Sequence, residues 1–178
     1  MESTAAILLR RNRYSETSLI VTWLTQGHGK IKTLARGALR PKNAFAGTLD
    51  LFFEVEIGYV RSSRSEIHTL REVSLRDPHD GLRKEYGRVE LASYFVELLE
   101  QVTEPEHPVP ELYDLLHRAL GYLETRSPSR KALLHFENEL ARLLGIHAEG
   151  EGSAFPALAR QLHRLPEARR GLLAKWEE

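Results

Sequence analysis

Lys30, Lys32, Arg36, Arg40 and Lys42 run through a stretch with no acidic residue from Gly27 to Leu49, and Arg10, Arg11 and Arg13 stand upstream of it. Cations in this density can each neutralise a phosphate and release its counterions, which gives affinity for nucleic acid that is independent of sequence and sensitive to salt. The same residue types also keep the edges of small β domains soluble. Charge distribution favours the first reading. Residues 1–49 hold eight Lys and Arg against two acids, a net +6, although the 178-residue chain is neutral overall, so the remainder carries −6. A basic end on a neutral protein is the footprint of a surface that tracks a phosphate backbone. Tyr14 and Phe45 lie in polar or basic surroundings and are the candidate platforms for base stacking. Phe52 is a third, whereas Trp23 and Phe53 fall in the apolar pattern of the core. So few free aromatics fit backbone tracking better than base readout.

Catalytic chemistry finds little support. His135 and Glu139 lie one helical turn apart, but two ligands do not make a metal site and an ion pair explains them equally well. No P-loop, HExxH or GxSxG motif occurs. The chain has no cysteine, which excludes thiol nucleophiles and thiolate zinc sites. Neither a cofactor nor a metal is expected, and the chain is not expected to be an enzyme. With no long apolar run and no signal-like start, the expectation is a cytoplasmic, nucleoid-associated protein that does not enter a membrane.

The positioning elements begin as short strands. Thr4 to Arg11 and Ser18 to Gln26 are apolar stretches separated by a polar turn, the second with the pattern of a strand covered on both faces. Gly27 and Gly29 mark a tight connection into a strand from Lys30 to Ala38, where Ile31 and Leu34 fall on opposite phases. That requires either partial cover on both faces or a bulge between them. Leu51 to Val60 alternates most clearly, with Leu51, Phe53, Val55, Ile57 and Tyr59 toward the core and Phe52, Glu54, Glu56 and Gly58 toward solvent. After a hairpin turn at Arg61 to Arg64, Ser65 to Val73 forms the fifth strand, with Ile67 and Val73 on one face. Five strands and a long basic loop from Leu39 to Thr48 suit a Greek-key barrel of the OB type, with an SH3-like barrel as the competitor.

Past Asp77-Pro78 the period becomes helical. Leu82, Tyr86, Val89, Ala92, Val96, Leu99 and Val102, widened by Leu91, Phe95 and Leu98, predict a helix buried on most sides. Pro110 opens a second helix, and Ser127-Pro128 serves as cap and first residue of a third that Gly145 closes. Phe155 to Leu162 and Leu165 to Trp176 suggest two short final helices. The expected class is α+β, an all-β barrel over 1–77 followed by an all-α domain over 78–178.

Several of these residues carry a family resemblance. Tyr14-Ser15-Glu16, a strand ending in Thr25, Gly27-x-Gly29-Lys30 and the basic Ala35-x-Gly37-Ala38-x-Arg40 segment resemble the N-terminal domain of the RecO-type bacterial DNA repair proteins. Leu91 to Glu124 and Phe136 to Glu149 resemble that family's helical domain. The resemblance implies an OB-fold, a helical domain and a non-catalytic recombination mediator. Such a protein binds single- and double-stranded DNA, anneals complementary strands, engages the single-strand binding protein, and with a RecR-type ring partner helps load a RecA-type recombinase. It also implies that Lys30, Lys32, Arg36, Arg40 and Lys42 form the DNA-facing segment. This chain departs from the pattern in lacking a four-cysteine zinc module after Gly145 to Glu149, in its shortened final helices, and in Asn43 where Ser is usual.

A pocket for the acidic, apolar tail of the single-strand binding protein would need an apolar groove with a basic rim. Arg118, Arg126, Arg130, Lys131 and Arg142 are the candidates for that rim, and each also reads as a solvated helix charge. Two rivals to the mediator remain at this point, a protein-docking adaptor with weak or lost DNA binding and an enzyme with an unrecognised hydrolytic site.

Overall fold

The computed structural model describes residues 1–177, which divide into two compact units, one of residues 1–79 and 103–113, the other of residues 80–102 and 114–177. In the first, β1 (Glu2–Arg13), β2 (Leu19–Thr25), β3 (Gly29–Ala35), β4 (Glu54–Val60) and β5 (Ile67–Asp77) close into a barrel in the order β1-β2-β3-β5-β4. Every pairing is antiparallel except β3 with β5. Closure leaves no free edge between β1 and β4, and the arrangement is OB-like.

The inward residues follow the period of two. Val21 and Trp23 of β2, Ile31 and Ala35 of β3, and Val55, Ile57 and Tyr59 of β4 form one core cluster with Ala6, Leu8 and Leu70. Thr33 also points inward, where its hydroxyl accepts the indole N–H of Trp23 at 2.8 Å, so the barrel interior holds no unpaired indole.

Three expectations need correction here. The fourth strand starts at Glu54 because Leu51 to Phe53 form a turn, with Phe52 at φ 68° and buried. Glu54 is buried, against the solvated face expected for it. Of the two alternatives for Ile31 and Leu34, partial cover on both faces holds and no bulge is present, since β3 pairs with β2 without a break and Leu34 is half-buried on the outer face. The irregularities lie between Leu8 and Arg10 in β1 and, in β5, between Leu70 and Glu72 and between Leu75 and Asp77. The one between Leu70 and Glu72 resets the phase, so Leu70 and Val73 join the core and Ile67 does not.

The loop 36–53 folds over one mouth of the barrel, with Phe45 and Leu49 in the core cluster and Ala38, Leu51 and Phe53 packed against it. At the far end of β3 the segment Glu104–His107 is strapped to the strand, the Glu106 N–H donating to the Lys30 carbonyl at 2.9 Å. Gly29 sits beneath this strap at φ 72°, and a Cβ there would lie 2.5 Å from the His107 carbonyl oxygen, so only glycine fits.

In the second unit a 3-10 turn (Asp80–Lys84) leads into α1 (Tyr86–Val102), followed by α2 (Pro110–Thr125), whose first residues belong to the barrel unit, α3 (Arg130–Leu143), α4 (Phe155–Ala159) and α5 (Glu167–Ala174). α1 buries Leu91, Ala92, Tyr94, Phe95, Val96, Leu98 and Leu99, as a spine must. Its Phe95 stacks on Phe136 of α3 at 3.9 Å between ring centroids. Pro110 opens α2 as expected. The cap of α3 is Ser129 rather than Ser127, its hydroxyl accepting the Ala132 N–H at 3.1 Å. No helix among the described residues is long and apolar enough to cross a membrane.

Candidate nucleic-acid interface

The register of the barrel decides which cations meet. Arg10 lies opposite Thr22, and Thr22 opposite Lys32, so Arg10 and Lys32 flank one outward row across β1, β2 and β3. The next outward row is Asn12, Ile20 and Leu34. Continuing the alternation, Tyr14 follows Asn12 past the end of β1 and Arg36 follows Leu34 past the end of β3. From Lys32 to Arg36 the strand rises roughly 13 Å, about two nucleotides of extended backbone.

At that end lies a groove of about 440 Å³ lined by Tyr14, Thr17, Ser18, Leu34, Arg36, Gly37 and Arg40. Two hydrogen bonds hold the chain following β3 against the β1–β2 turn, from the Leu39 N–H to the Thr17 carbonyl at 2.9 Å and from the Gly37 N–H to the Ser18 hydroxyl at 3.3 Å. Gly37 turns the chain at φ 73°, a conformation that favours glycine. Arg40 is thereby delivered beside Arg36, although neither spacing nor propensity would pair them.

Lys32, Arg36, Arg40 and Lys42 are exposed and have no ion-pair partner among the described residues. Arg11 and Arg13 are placed differently. They pair with Val21 and Leu19, residues of the opposite, core-facing side. The Arg11 guanidinium donates to the Leu49 carbonyl at 2.8 Å and lies 3.3 Å from Asp50, clasping the loop over the barrel mouth. Arg13 donates to the carbonyls of Ser15 and Glu16, fixing the β1–β2 turn. Lys30 is half-buried beside the strap. Asn43 shapes the basic loop, donating to the Arg40 carbonyl and accepting the Phe45 N–H, both at 2.8 Å.

Of the three proposed stacking residues, Tyr14 is 61% exposed, whereas Phe45 and Phe52 are buried at 6% and 3%, so Phe52 is no platform either. Phe45 is therefore corrected from platform to core. The basic loop around it disguised it, because a loop that covers a barrel mouth needs one apolar plug and has no period to reveal it.

The helical unit holds a cleft of about 420 Å³ floored by Phe95, Leu115, Ala119, Ala132 and Phe136, with Arg118, Arg126 and Lys131 also lining it. Three of the five proposed rim residues thus converge. Arg130 instead lies 3.8 Å from Glu177, and Arg142 pairs with Glu139 at 2.9 Å. Hydrogen bonding from Arg142 keeps the Glu139 carboxyl below its ordinary range, so Glu139 is committed to that pair rather than to His135, which lines the cleft.

One cluster was not foreseen. Glu54, Asp77 and His79 each present a potential ligand atom, all within 4.8 Å of one another. His79 Nε2 lies 2.5 Å from Glu54, Nδ1 lies 3.6 Å from Asp77, and the Tyr113 hydroxyl donates to Glu54 at 3.2 Å. Burial, and then the charge of Glu54, raise the Tyr113 phenol above its usual range and keep it a donor. The His79 backbone N–H also donates to Asp77 at 2.8 Å, so hydrogen bonds tie all three residues together.

Comparison with known proteins agrees in both units. Residues 1–79 match the family model described as the N-terminal part of recombination protein O, and residues 83–154 match its C-terminal part. The DNA repair protein RecO of Rhodopirellula baltica is 36% identical over 140 residues, covering 79% of this chain and 52% of that protein. Those of Anaeromyxobacter dehalogenans strain 2CP-C and Pelobacter propionicus are 34% and 31% identical, covering 79% and 81% of this chain and 55% and 58% of theirs. The chain spans little more than half the length of these relatives.

Proposed function

The chain belongs to the recombination protein O family, and from that premise we propose that it is a non-catalytic mediator of DNA repair whose barrel holds DNA strands by their phosphates. The observation that carries this reading is the set of exposed, unpaired cations Lys32, Arg36, Arg40 and Lys42 on an acid-free segment, with Arg10 across the same outward row. Arg11 and Arg13 act at one remove by fixing the loop and turn that carry these groups. Holding two strands on one cationic surface lowers their mutual repulsion and lets complementary bases pair, which is annealing driven by binding alone.

The division of labour we propose gives residues 1–77 the DNA and residues 78–178 the protein partners. The cleft lined by Arg118, Arg126 and Lys131 has the apolar floor and basic rim that suit an acidic, apolar peptide such as the tail of the single-strand binding protein. Through that contact and a RecR-type ring the protein would help a RecA-type recombinase onto coated DNA.

Salt titration of a labelled oligonucleotide tests the barrel assignment. In Arg36→Ala with Arg40→Ala, affinity falls for all sequences and the log–log salt slope becomes shallower by about 1.4 for single strands. An unchanged slope and affinity in the folded double variant refutes it and leaves the basic segment to a protein partner.

A further inference from the structure

We propose that Tyr14 is a stacking platform for one unpaired base, so that the groove it shares with Arg36 and Arg40 takes single-stranded nucleic acid and tells it from duplex. The inference rests on the phosphate-binding reading of the barrel and adds to it a group that touches bases.

Three observations converge on this residue. Tyr14 is a large aromatic side chain 61% exposed, and among the described residues it has no ring, cation or side-chain hydrogen-bond partner. The other strongly exposed tyrosines are used differently, Tyr86 with Lys175 above its ring and Tyr122 with Arg126 above its own. Leaving a bare aromatic face in water carries a hydrophobic cost that a ligand with a π face would remove.

Its backbone is also held in advance. The Tyr14 N–H donates to the Ser18 carbonyl at 3.0 Å, the Ser15 hydroxyl accepts the N–H groups of Thr17 and Ser18, and Arg13 donates to the carbonyls of Ser15 and Glu16. A platform on a turn fixed from both sides is pre-organised, so ordering it on binding costs little.

Finally, the cations beside it suit what flanks a base. Arg36 and Arg40 line the same groove and have no ion-pair partner among the described residues, so a stacked base would have its own phosphates within their reach. At about 440 Å³ the groove is in the size range of sites for small ligands, and a single nucleotide is such a ligand. In a duplex the base faces are already stacked on their neighbours and only phosphates are presented. Arg36 and Arg40 therefore serve both forms, and Tyr14 serves the unpaired one.

The deciding probes are three labelled DNAs of equal length, an oligo-dT, an abasic strand with the same phosphates, and a duplex, each titrated against the full chain. The wild-type protein should bind oligo-dT more tightly than the abasic strand by about fivefold or more. Tyr14→Leu should erase that preference and leave duplex affinity within about twofold, while Tyr14→Phe should retain it. Because the side chain is exposed, both variants should melt like the wild type.

A wild-type protein that does not distinguish the two strands, or a Tyr14→Leu variant that still does, overturns the proposal. Arg36→Ala with Arg40→Ala separates it from the reading beneath it. Uniform weakening of all three probes with the oligo-dT preference kept supports both. Weakening together with no Tyr14 effect refutes only the stacking. Absence of any binding by the wild-type chain at low salt refutes both.

Discussion

The Arg169 guanidinium grips the fully buried carboxylate of Glu137 through two hydrogen bonds of 2.6 and 2.9 Å, joining α5 to α3 inside the helical unit. Tyr94 of α1 donates to the same carboxylate at 2.6 Å, and Arg169 lies 3.6 Å above the Phe155 ring at the start of α4. Burial opposes the Arg169 charge, but the hydrogen bonds it donates to Glu137 together with that carboxylate's charge more than offset it, so its pKa is raised. Four helices thus meet on one ion pair. Removing one partner leaves the other charge buried and alone, so Arg169→Met should destabilise the chain by about 3–5 kcal/mol. Glu137→Leu with Arg169→Met should cost less than the sum of the two single changes, as read by urea denaturation.

The pair shows why only part of this molecule could be read from its residue pattern. Barrel, helices and basic strip carry a period or a charge bias, and the alternation of Val21, Trp23 and Val55 and the spacing of Leu91, Phe95 and Leu98 give five strands and then five helices in the observed order, with the bounds of β4 and β5 shifted. Glu137 has no such mark, because a buried acid looks like any solvated helix charge until its partner arrives from Arg169, 32 residues later. Glu54 failed for the same reason, its partners being His79 and Tyr113. The groove was half legible. Arg36 follows from the strand period, whereas its meeting with Tyr14 depends on the hydrogen bond from Leu39 to Thr17.

Phe45 should behave as a core residue and not as a DNA contact. Phe45→Ala removes the plug from the barrel mouth and should cost about 3–5 kcal/mol, with Phe45→Leu costing less. The control is Tyr14→Leu, which should leave the melting temperature unchanged. Reversal of the two effects in thermal melts would contradict the placement of both rings.

Acid should loosen the barrel at the Glu2 end. The Glu2 carboxylate accepts two hydrogen bonds from Arg61 and one from the Tyr59 hydroxyl, and the Arg61 bond above all lowers its pKa from 4.5 to about 2. A carboxyl depressed on folding stabilises the native state above its unfolded pKa, and that contribution is lost as the pH falls from about 4.5 through 2. Glu2→Gln should therefore melt below the wild type at pH 7, with the gap closing between about pH 4.5 and 2. A constant gap over that range would remove Glu2 as its source.

Chelation should leave the fold intact. The chain has no cysteine, and Glu54, Asp77 and His79 are already tied together by hydrogen bonds, the imidazole with Glu54 and the His79 backbone N–H with Asp77. EDTA should not shift the melting temperature, whereas His79→Ala, which strands the buried Glu54 carboxylate, should destabilise the barrel by about 3 kcal/mol or more. Melting induced by the chelator would show that a cation holds this cluster.

The helical cleft gives the last test. An acidic peptide with an apolar C-terminal residue would set its side chain on Phe95 and Phe136 and its carboxylates near Arg126 and Lys131. Reversing rim charges weakens such a complex more than neutralising them, since repulsion is added to lost attraction. Arg118 is the less informative residue, because Asp114 already holds it at 2.8 Å. Arg126→Glu with Lys131→Glu should abolish peptide binding measured by calorimetry or fluorescence anisotropy. DNA binding by the barrel should remain, because every cation assigned to it lies on residues 10–42. Loss of DNA binding in the same variant would mean that the two activities share a surface, and peptide binding that survives the reversal would dismiss the cleft as the docking site.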